Sequence, residues 1–481
     1  MISFFISILC LILGYIFYGK IVERIFGPDD RVTPAYTKAD GIDYIVLPNW
    51  KVFMIQFLNI AGTGPIFGAI MGAKFGPSSY LWIVLGCIFA GSVHDYLIGM
   101  LSMRNEGYSL PILTGKYLGD KARKLTLIFS IILLLGVGVV FVSSPAMILS
   151  EIWGDYMIWI YVIFIYYILA TILPIDKIIA KFYPFLSVCL LFQAFALMVA
   201  FCYKMPDIPE VWDGLGTRLT GADSEIYPCL FITIACGAIS GFHATQSPIM
   251  ARCLGTERKG RPVFYGSMIA EGIIALIWAM VSSYFFYAEP TPGYQLYEQT
   301  KSMGILTPAP IVVNTICKDW LGLFGGIIAI IGVVACPLAS GDTAFRSARL
   351  IISESFNITQ KAIKNRLYIC IPLFSLAIAI LIWQISNPDG FNVLWKFFGW
   401  ANQTLATIAL WTATIYLVKE KKFFYISLIP AIFMTCVCTT FFIVSKECLG
   451  LPMQFGYIAT AIVAPVSIIW FVVWYRRQGR K

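Results

Sequence analysis

The chain has 481 residues, of which 59% are hydrophobic and only 13% are charged, and its mean hydropathy is +0.80. Soluble globular proteins carry roughly 25% charged residues, so this composition excludes a sizeable soluble domain and indicates a polytopic membrane protein. The formal net charge of +9 comes from 35 Lys and Arg against 26 Asp and Glu. Because the basic residues fall in alternate loops, they indicate membrane topology, and no nucleic-acid partner is expected.

Apolar segments of membrane-crossing length recur along the whole chain, and about 13 of them are predicted to span a membrane. The predicted spans are 2–19, 50–74, 79–101, 125–149, 156–173, 182–203, 227–250, 263–288, 321–345, 366–386, 391–418, 423–445 and 455–475. The first is interpreted as a retained helix, since it lacks the basic start and the cleavage pattern of a signal peptide.

Loops rich in Lys and Arg alternate with loops that are poor in them. The basic loops are 19–49, 102–124, 251–262, 346–365 and 419–422, together with the C-terminal tail. The loop 174–181 is intermediate, with Lys177 and Lys181, and falls on the cytoplasmic side in this alternation. The poor loop at 204–226 is acidic and includes Asp223. This alternation predicts a multi-pass protein of the plasma (bacterial inner) membrane, with its N-terminus outside and its C-terminus in the cytoplasm.

The first candidate site is a helix break in span 50–74. Asn59, Gly62, Thr63, Gly64 and Pro65 lie at its centre, and glycines with a proline at that depth predict an interruption. A half-helix that begins near Pro65 would point free amides at a carboxylate, while the carbonyl groups ending near Asn59 would favour a cation.

A simpler interpretation of the same glycines remains open. Gly64, Gly68 and Gly72 are spaced by four residues, which is also the pattern of close helix packing.

A second break is predicted at Gly237 to Pro248, in the fifth span after the first. Because five is odd, the two broken segments would cross the membrane in opposite directions, as an inverted five-plus-five repeat requires. The predicted organisation is an all-α polytopic protein. It has an extra helix and cytoplasmic loop at 1–49, repeats at 50–203 and 227–418, and two further helices at 419–481.

Several polar residues within the spans are functional candidates. His94, Asp95 and Glu271 are a possible proton relay, although a structural pairing of His94 with Asp95 is an equal alternative. Ser340, Asp342 and Thr343 are predicted to hold a coupling ion, H⁺ or Na⁺; a salt bridge from Asp342 to Arg346, one helical turn on, is the alternative.

The predicted substrate site gathers residues from both breaks and from span 391–418, where interhelical hydrogen bonding is the default explanation for the amides. Its residues are Asn59, Gly62, Thr63, Gly64, Ser240, His243, Thr245, Gln246, Asn402 and Gln403. The 13 cysteines lie mostly in apolar segments without a CxxC pair, so we predict neither a metal site, nor a disulfide framework, nor a cofactor.

At these residues the sequence resembles the carbon starvation protein A family of bacterial inner-membrane transporters. The similar stretches are Asn59 to Ile70, Ile88 to Arg104, Gly237 to Arg252, Asp342 to Arg349 and Phe398 to Leu405. The resemblance implies a leucine-transporter-like fold and cation-coupled uptake of pyruvate or small peptides.

The sequence therefore predicts a secondary active transporter, with a small-molecule substrate and membrane lipid as its partners. Three rival interpretations remain: a channel, a solute-binding sensor, and a membrane enzyme that uses His94, Asp95 and His243. The chain carries no glycine–lysine nucleotide loop, and we expect it not to be an enzyme.

Overall fold

A computed structural model describes residues 1–172, 179–216, 225–289, 291–302, 307–387 and 390–478. The predicted all-α class is confirmed for these residues, whose one extended pairing is an isolated bridge between Leu47 and Leu254. Lys177 of the loop 174–181 and Asp223 of the acidic loop 204–226 lie outside the described residues.

Up to position 204, the described residues form eight helices longer than four residues. They are α1 (Ile2–Phe26), α2 (Asn49–Ile60), α3 (Gly64–Phe75), α4 (Ser78–Arg104), α5 (Leu110–Leu118), α6 (Asp120–Ser150), α7 (Tyr156–Ile172) and α8 (Ile179–Lys204). Two of their ends follow from local chemistry. α1 ends at Gly27, which adopts a left-handed conformation with φ of 67°, and α3 has Pro65 in its first turn, where no N–H is needed.

From position 226 onward, the described residues form nine further helices. They are α9 (226–233), α10 (Gly241–Ala251), α11 (Glu257–Tyr287), α12 (Pro292–Ser302), α13 (Ala309–Ser355), α14 (Ile363–Ser386), α15 (Gly390–Lys419), α16 (Tyr425–Val444) and α17 (Met453–Gln478). Each of the predicted spans coincides with one of these helices or with a broken pair.

Within the described residues, nine helices are long and apolar enough to cross a membrane, and the bent pair α2–α3 makes a tenth. The shorter α7, the broken pair α9–α10 and the more polar α15 do not meet the same criterion. The count of about 13 spans and the division into inverted repeats therefore stay predictions.

The core is built around α13, which packs along α6 and α8, while α11 packs against α2 and α3. α10 lies between α4 and α15, so both broken pairs are enclosed by long helices. By contrast, only 11% of the most apolar stretch of α17 is buried, which leaves this helix at the periphery.

The predicted loop at 346–365 is partly wrong. α13 continues to Ser355, so Arg346 and Arg349 lie within a helix and are fully buried. The physical reason is Asp43, which reaches them from the segment between α1 and α2: its carboxylate lies 3.0 Å from Arg349 and 3.4 Å from Arg346. A buried partner allows the helix to carry these charges.

The segment between α1 and α2 is anchored against the end of α10. The hydroxyl of Thr33 donates to the carbonyl of Leu254 at 2.8 Å, and the amide of Leu47 donates to the carbonyl of Cys253 at 3.1 Å. Arg252 also pairs with Glu354 at the end of α13. These contacts, with Asp43, Arg346 and Arg349, form what we call the ion-paired end of the molecule.

Candidate functional site

The first break is present where the sequence predicts it. α2 ends at Ile60, α3 begins at Gly64, and the two half-helices meet at an angle of 42°. Ser340 of α13 donates its hydroxyl to the carbonyl oxygens of Asn59, at 2.9 Å, and Leu58, at 3.2 Å. The carbonyl groups that end α2 are therefore partly satisfied by another helix.

Asn59 and Thr63 bring polar side chains to this break. Both are fully buried, and neither side chain has a hydrogen-bond partner among the described residues. An unpaired buried polar group is costly, and ligand-binding sites are one place where proteins retain such groups. The first turn of α3, with the amides of Gly64 and Ile66, directly follows Thr63 in the chain.

The second break lies earlier than predicted. It runs from Ile234 to Ser240, and Gly237 adopts a positive φ of 89° within it. Pro248 and His243, assigned to the break from the sequence, lie inside α10. The turn is made by the glycine at 237, and the proline is accommodated within the helix that follows.

Asn402 of α15 caps the start of α10. Its side-chain oxygen accepts a hydrogen bond from the backbone N–H of Phe242 at 2.7 Å and another from the hydroxyl of Ser240 at 3.1 Å. The structure thus brings together two predicted site residues, and it assigns the Asn402 oxygen to helix capping. The side-chain nitrogen of Asn402 has no partner among the described residues.

The two breaks are in direct contact. A Cβ added at Gly64 would collide with the side chain of Cys236, and one added at Gly68 would lie 3.0 Å from the carbonyl of Thr233. A Cβ at Gly72 would likewise collide with Ile234. The three glycines therefore do provide close packing, and the partner against which they pack is the second break.

Four ionisable side chains form a continuous chain beside these breaks. His94 Nδ1 lies 2.7 Å from one oxygen of Asp95, and the other oxygen of Asp95 lies 2.9 Å from His243 Nδ1. His243 Nε2 lies 3.3 Å from Glu271, and all four side chains are fully buried. Residues from α4, α10 and α11, which the sequence suggested separately, thus meet at one place.

The predicted coupling-ion residues have different partners. One oxygen of Asp342 accepts the hydroxyl of Tyr166 at 2.9 Å, and the other has no partner among the described residues. Ser340 bonds to the end of α2, whereas Thr343 donates to the carbonyl oxygens of Ala339 and Ser340 in its own helix. Their contacts give no sign of a common ion site.

The alternative pairing of Asp342 with Arg346 is not recorded among the described residues. Arg346 contacts the carboxylate of Asp43 instead.

The remaining predicted residues mostly hold neighbouring groups. Gln246 donates to the hydroxyl of Thr245 at 2.9 Å, and Thr245 donates to the carbonyl of Phe242 at 2.6 Å. Gln403 donates to the carbonyl of Phe231 at 2.7 Å, which ties α15 to α9 as ordinary interhelical bonding would.

Sequence reasoning missed Cys236, Tyr166 and Asp43. Cys236 was treated as an inert buried cysteine, although it directly precedes the glycine that makes the second break. Asp43 lies outside the predicted spans and offered no signal of burial.

A cavity of about 360 Å³ opens at the end of the molecule away from the ion-paired end. It is lined by residues from the ends of α6 and α14 and the starts of α7 and α15, among them Ser150, Glu151, Tyr156 and Gln384. This is the end that the loop charges predict to face outside.

Comparison with known proteins identifies relatives along almost the whole chain. The family described as "Carbon starvation protein CstA" matches residues 1–152, 137–306 and 302–441. An uncharacterized membrane protein of Haemophilus influenzae is 44% identical, over 60% of this chain and 91% of its own length. The peptide transporter CstA of Campylobacter jejuni is 27% identical over 89% of this chain and 78% of its own, and that of Escherichia coli is 24% identical over 90% and 79%.

Among solved structures, a manganese transporter of Eremococcus coleocola superposes with a TM-score of 0.54 at 12% identity, covering 91% of this chain and 99% of that chain. At this identity the likeness concerns the fold alone, which is that of a helical membrane transporter. Taken with the apolar helices and the family match, these findings mean that the chain is a multi-pass membrane protein that belongs to the carbon starvation protein CstA family.

Proposed function

We propose that this protein is a secondary active transporter that takes up a small carboxylate-bearing nutrient, such as pyruvate or a short peptide, by cation-coupled alternating access. The observation that carries the proposal is the meeting of two interrupted helices around buried, unpaired polar side chains. Interrupted helices at membrane depth are tolerated where they line a cavity or a bound solute. The CstA relatives that are named as peptide transporters support the same function.

The first break is the better candidate to bind a carboxylate. At the start of α10, Asn402 already accepts the N–H of Phe242, whereas the start of α3 carries the unpaired hydroxyl of Thr63. The positive end of the α3 dipole and its first amides would then hold the carboxylate. Asn59 and the side-chain nitrogen of Asn402 would bind the other polar groups of the substrate.

Asp342 is the proposed site of the coupling cation. It is fully buried, and the Tyr166 hydroxyl satisfies only one of its two oxygens. An intramembrane carboxylate in such surroundings is suited to bind a proton or Na⁺. The chain from His94 to Glu271 is a second possible proton path, because its members are contiguous.

Access would alternate between the two ends of the molecule. The cavity beside Gln384 opens at the end predicted to be outside, while Asp43 is ion-paired with Arg346 and Arg349 at the opposite end. This asymmetry is what an outward-open or closed state of an alternating-access transporter would present.

The test is uptake into proteoliposomes of labelled pyruvate, dipeptides and tripeptides, with proton and sodium gradients imposed separately. We expect one gradient to drive accumulation of one of these solutes above its equilibrium level. Binding without accumulation would favour the sensor, and no binding or accumulation of any of them would refute the proposed substrate class.

A further inference from the structure

Three side chains of metal-ligand type converge beside the second break. Cys236 comes from the break itself, His243 from α10 and Glu271 from α11, and all are buried. One ligand atom from each lies within 4.8 Å of the other two. The sequence alone does not reveal this cluster, because Cys236, His243 and Glu271 come from three different elements and form no known metal-binding motif.

The orientation of His243 favours a ligand at its Nε2 atom. Its Nδ1 atom lies 2.9 Å from Asp95, so an N–H at that position is directed to a carboxylate. In the neutral ring this leaves the Nε2 lone pair facing Glu271. A carboxylate that holds a histidine in this way is a recurrent second partner of protein metal sites, where it fixes the ring and raises its basicity.

The space beside Nε2 requires a positive charge. His243 Nε2 and Glu271 Oε2 are 3.3 Å apart but form no aligned hydrogen bond, and the neighbour of this carboxylate that could donate to it is the backbone N–H of Gly237 in the break. Two lone pairs at this distance in a buried site repel each other unless a cation lies between or beside them.

We propose that Cys236, His243 and Glu271 bind one divalent transition-metal ion, for which Zn²⁺ is the best match. A set of one sulfur, one nitrogen and one oxygen suits Zn²⁺ and excludes Mg²⁺ or Ca²⁺, which take oxygen ligands. Zinc bonds of about 2.0–2.3 Å in a tetrahedral arrangement separate ligand atoms by roughly 3.3–3.8 Å. The His243–Glu271 distance of 3.3 Å already has this value, and Cys236 needs only a small movement.

A metal ion would account for the convergence of all three side chains, which a proton would not. A single proton would relieve the repulsion between His243 and Glu271, but only a metal ion would also bind the sulfur of Cys236, which in this structure is hydrogen-bonded to the hydroxyl of Ser240 at 3.3 Å. With three protein ligands, a zinc ion would retain a fourth coordination position. The inference does not depend on the proposed transport function, because the site would bind its ion whether or not a solute moves.

The experiment uses full-length, tag-free protein in detergent. Bound metal is measured by elemental analysis after dialysis against Zn²⁺ alone, and Co²⁺ is then substituted to give an optical spectrum. We expect about one ion per chain and a cobalt–thiolate charge-transfer band in the near ultraviolet. Absence of stoichiometric metal, or one Co²⁺ per chain without a thiolate band, would overturn the assignment.

Variants locate the ion. Cys236→Ser should abolish the thiolate band, whereas Cys317→Ser, a change at another fully buried cysteine, should leave it intact. Asp95→Asn should keep the band but weaken Zn²⁺ affinity by about 10–100-fold, since Asp95 only supports His243. Equal bands in the two cysteine variants would refute the site, and absence of a thiolate band in the wild type would refute it even if Cys236→Ser fails to fold.

Discussion

Two buried carboxylates, Asp43 and Asp342, lie in opposite surroundings. Asp43 pairs directly with two guanidinium groups, those of Arg349 and Arg346, whereas Asp342 accepts the neutral hydroxyl of Tyr166 and is exposed to the charge of Arg346 only beyond ion-pair distance. Burial alone would raise the pKa of Asp43, but the charges of Arg349 and Arg346 outweigh it and hold this pKa below its usual value. Asp43 is therefore a charged group that stabilises the fold, whereas Asp342 has an oxygen left to bind a mobile cation.

The comparison predicts that Asp43→Asn has the largest effect on stability. Removing this charge leaves Arg346 and Arg349 buried without their carboxylate, and breaking a buried ion pair in this way costs about 3–5 kcal/mol. The free energy of unfolding, measured in detergent, should fall accordingly. Asp30→Asn is the matched control, because its pair with Arg258 is exposed and its loss should produce no measurable change.

The same pair sets a pH dependence. Because the folded-state pKa of Asp43 lies below its ordinary value of 3.8, the pair stabilises the protein fully above that value. Its contribution is lost as the pH falls through the lower folded-state pKa. Wild-type and Asp43→Asn proteins should differ most near neutrality and converge in acid; a constant difference across that range would contradict the role of this ion pair.

Asp342→Asn should instead leave the fold intact and impair coupling. The variant cannot bind and release a cation at this position. Gradient-driven accumulation should therefore fall by about 5–150-fold, the factor that corresponds to typical coupling free energies. Exchange of labelled for unlabelled solute, which needs no net cation movement, should persist. The measurement is accumulation and exchange in the same proteoliposomes.

Tyr166→Phe is the control for Asp342. It removes the hydrogen bond at 2.9 Å but keeps the carboxylate, so coupling should survive with altered ion affinity. Undiminished accumulation in Asp342→Asn would eliminate this residue as the cation site and would return attention to the chain from His94 to Glu271.

The contact between the two breaks gives a third, smaller effect. Gly64→Ala would drive a methyl group into Cys236, and overpacking of this kind costs about 1–3 kcal/mol. We expect a lower melting temperature and slower uptake. Gly136→Ala is the matched control, since nothing lies within 4 Å of the added carbon; alanine there should be neutral or stabilise α6 by about 0.5–1 kcal/mol.

The helical class and the first break were accessible from the sequence because they rest on local chemistry. Membrane-length apolar segments predict helices, and Gly62, Gly64 and Pro65 lie within a few residues of one another. The second break was placed too late, since Pro248 is the conspicuous breaker in the sequence whereas the turn is made at Gly237.

The site itself was only partly accessible, because it depends on contacts between distant parts of the chain. His94, Asp95, His243 and Glu271 stood out individually as polar residues in apolar segments, but no spacing indicates that they touch. Arg346 and Arg349 are buried against Asp43, which precedes them in the chain by 303 and 306 positions. Charge counting alone assigns such arginines to a loop.

The smallest predicted effect concerns Asn402, which joins the structural and functional roles. Asn402→Ala removes the acceptor for the Phe242 N–H, and loss of a helix cap costs about 0.5–2 kcal/mol. Thr404→Ala is the control on the same helix, because Thr404 donates to the carbonyl of Trp400 within α15 and caps no other helix among the described residues. If substrate also binds the free nitrogen of Asn402, the Michaelis constant for uptake should rise in Asn402→Ala by more than in Thr404→Ala. A loss of stability with an unchanged Michaelis constant would make Asn402 a cap alone, and the solute would then be held by the first break without it.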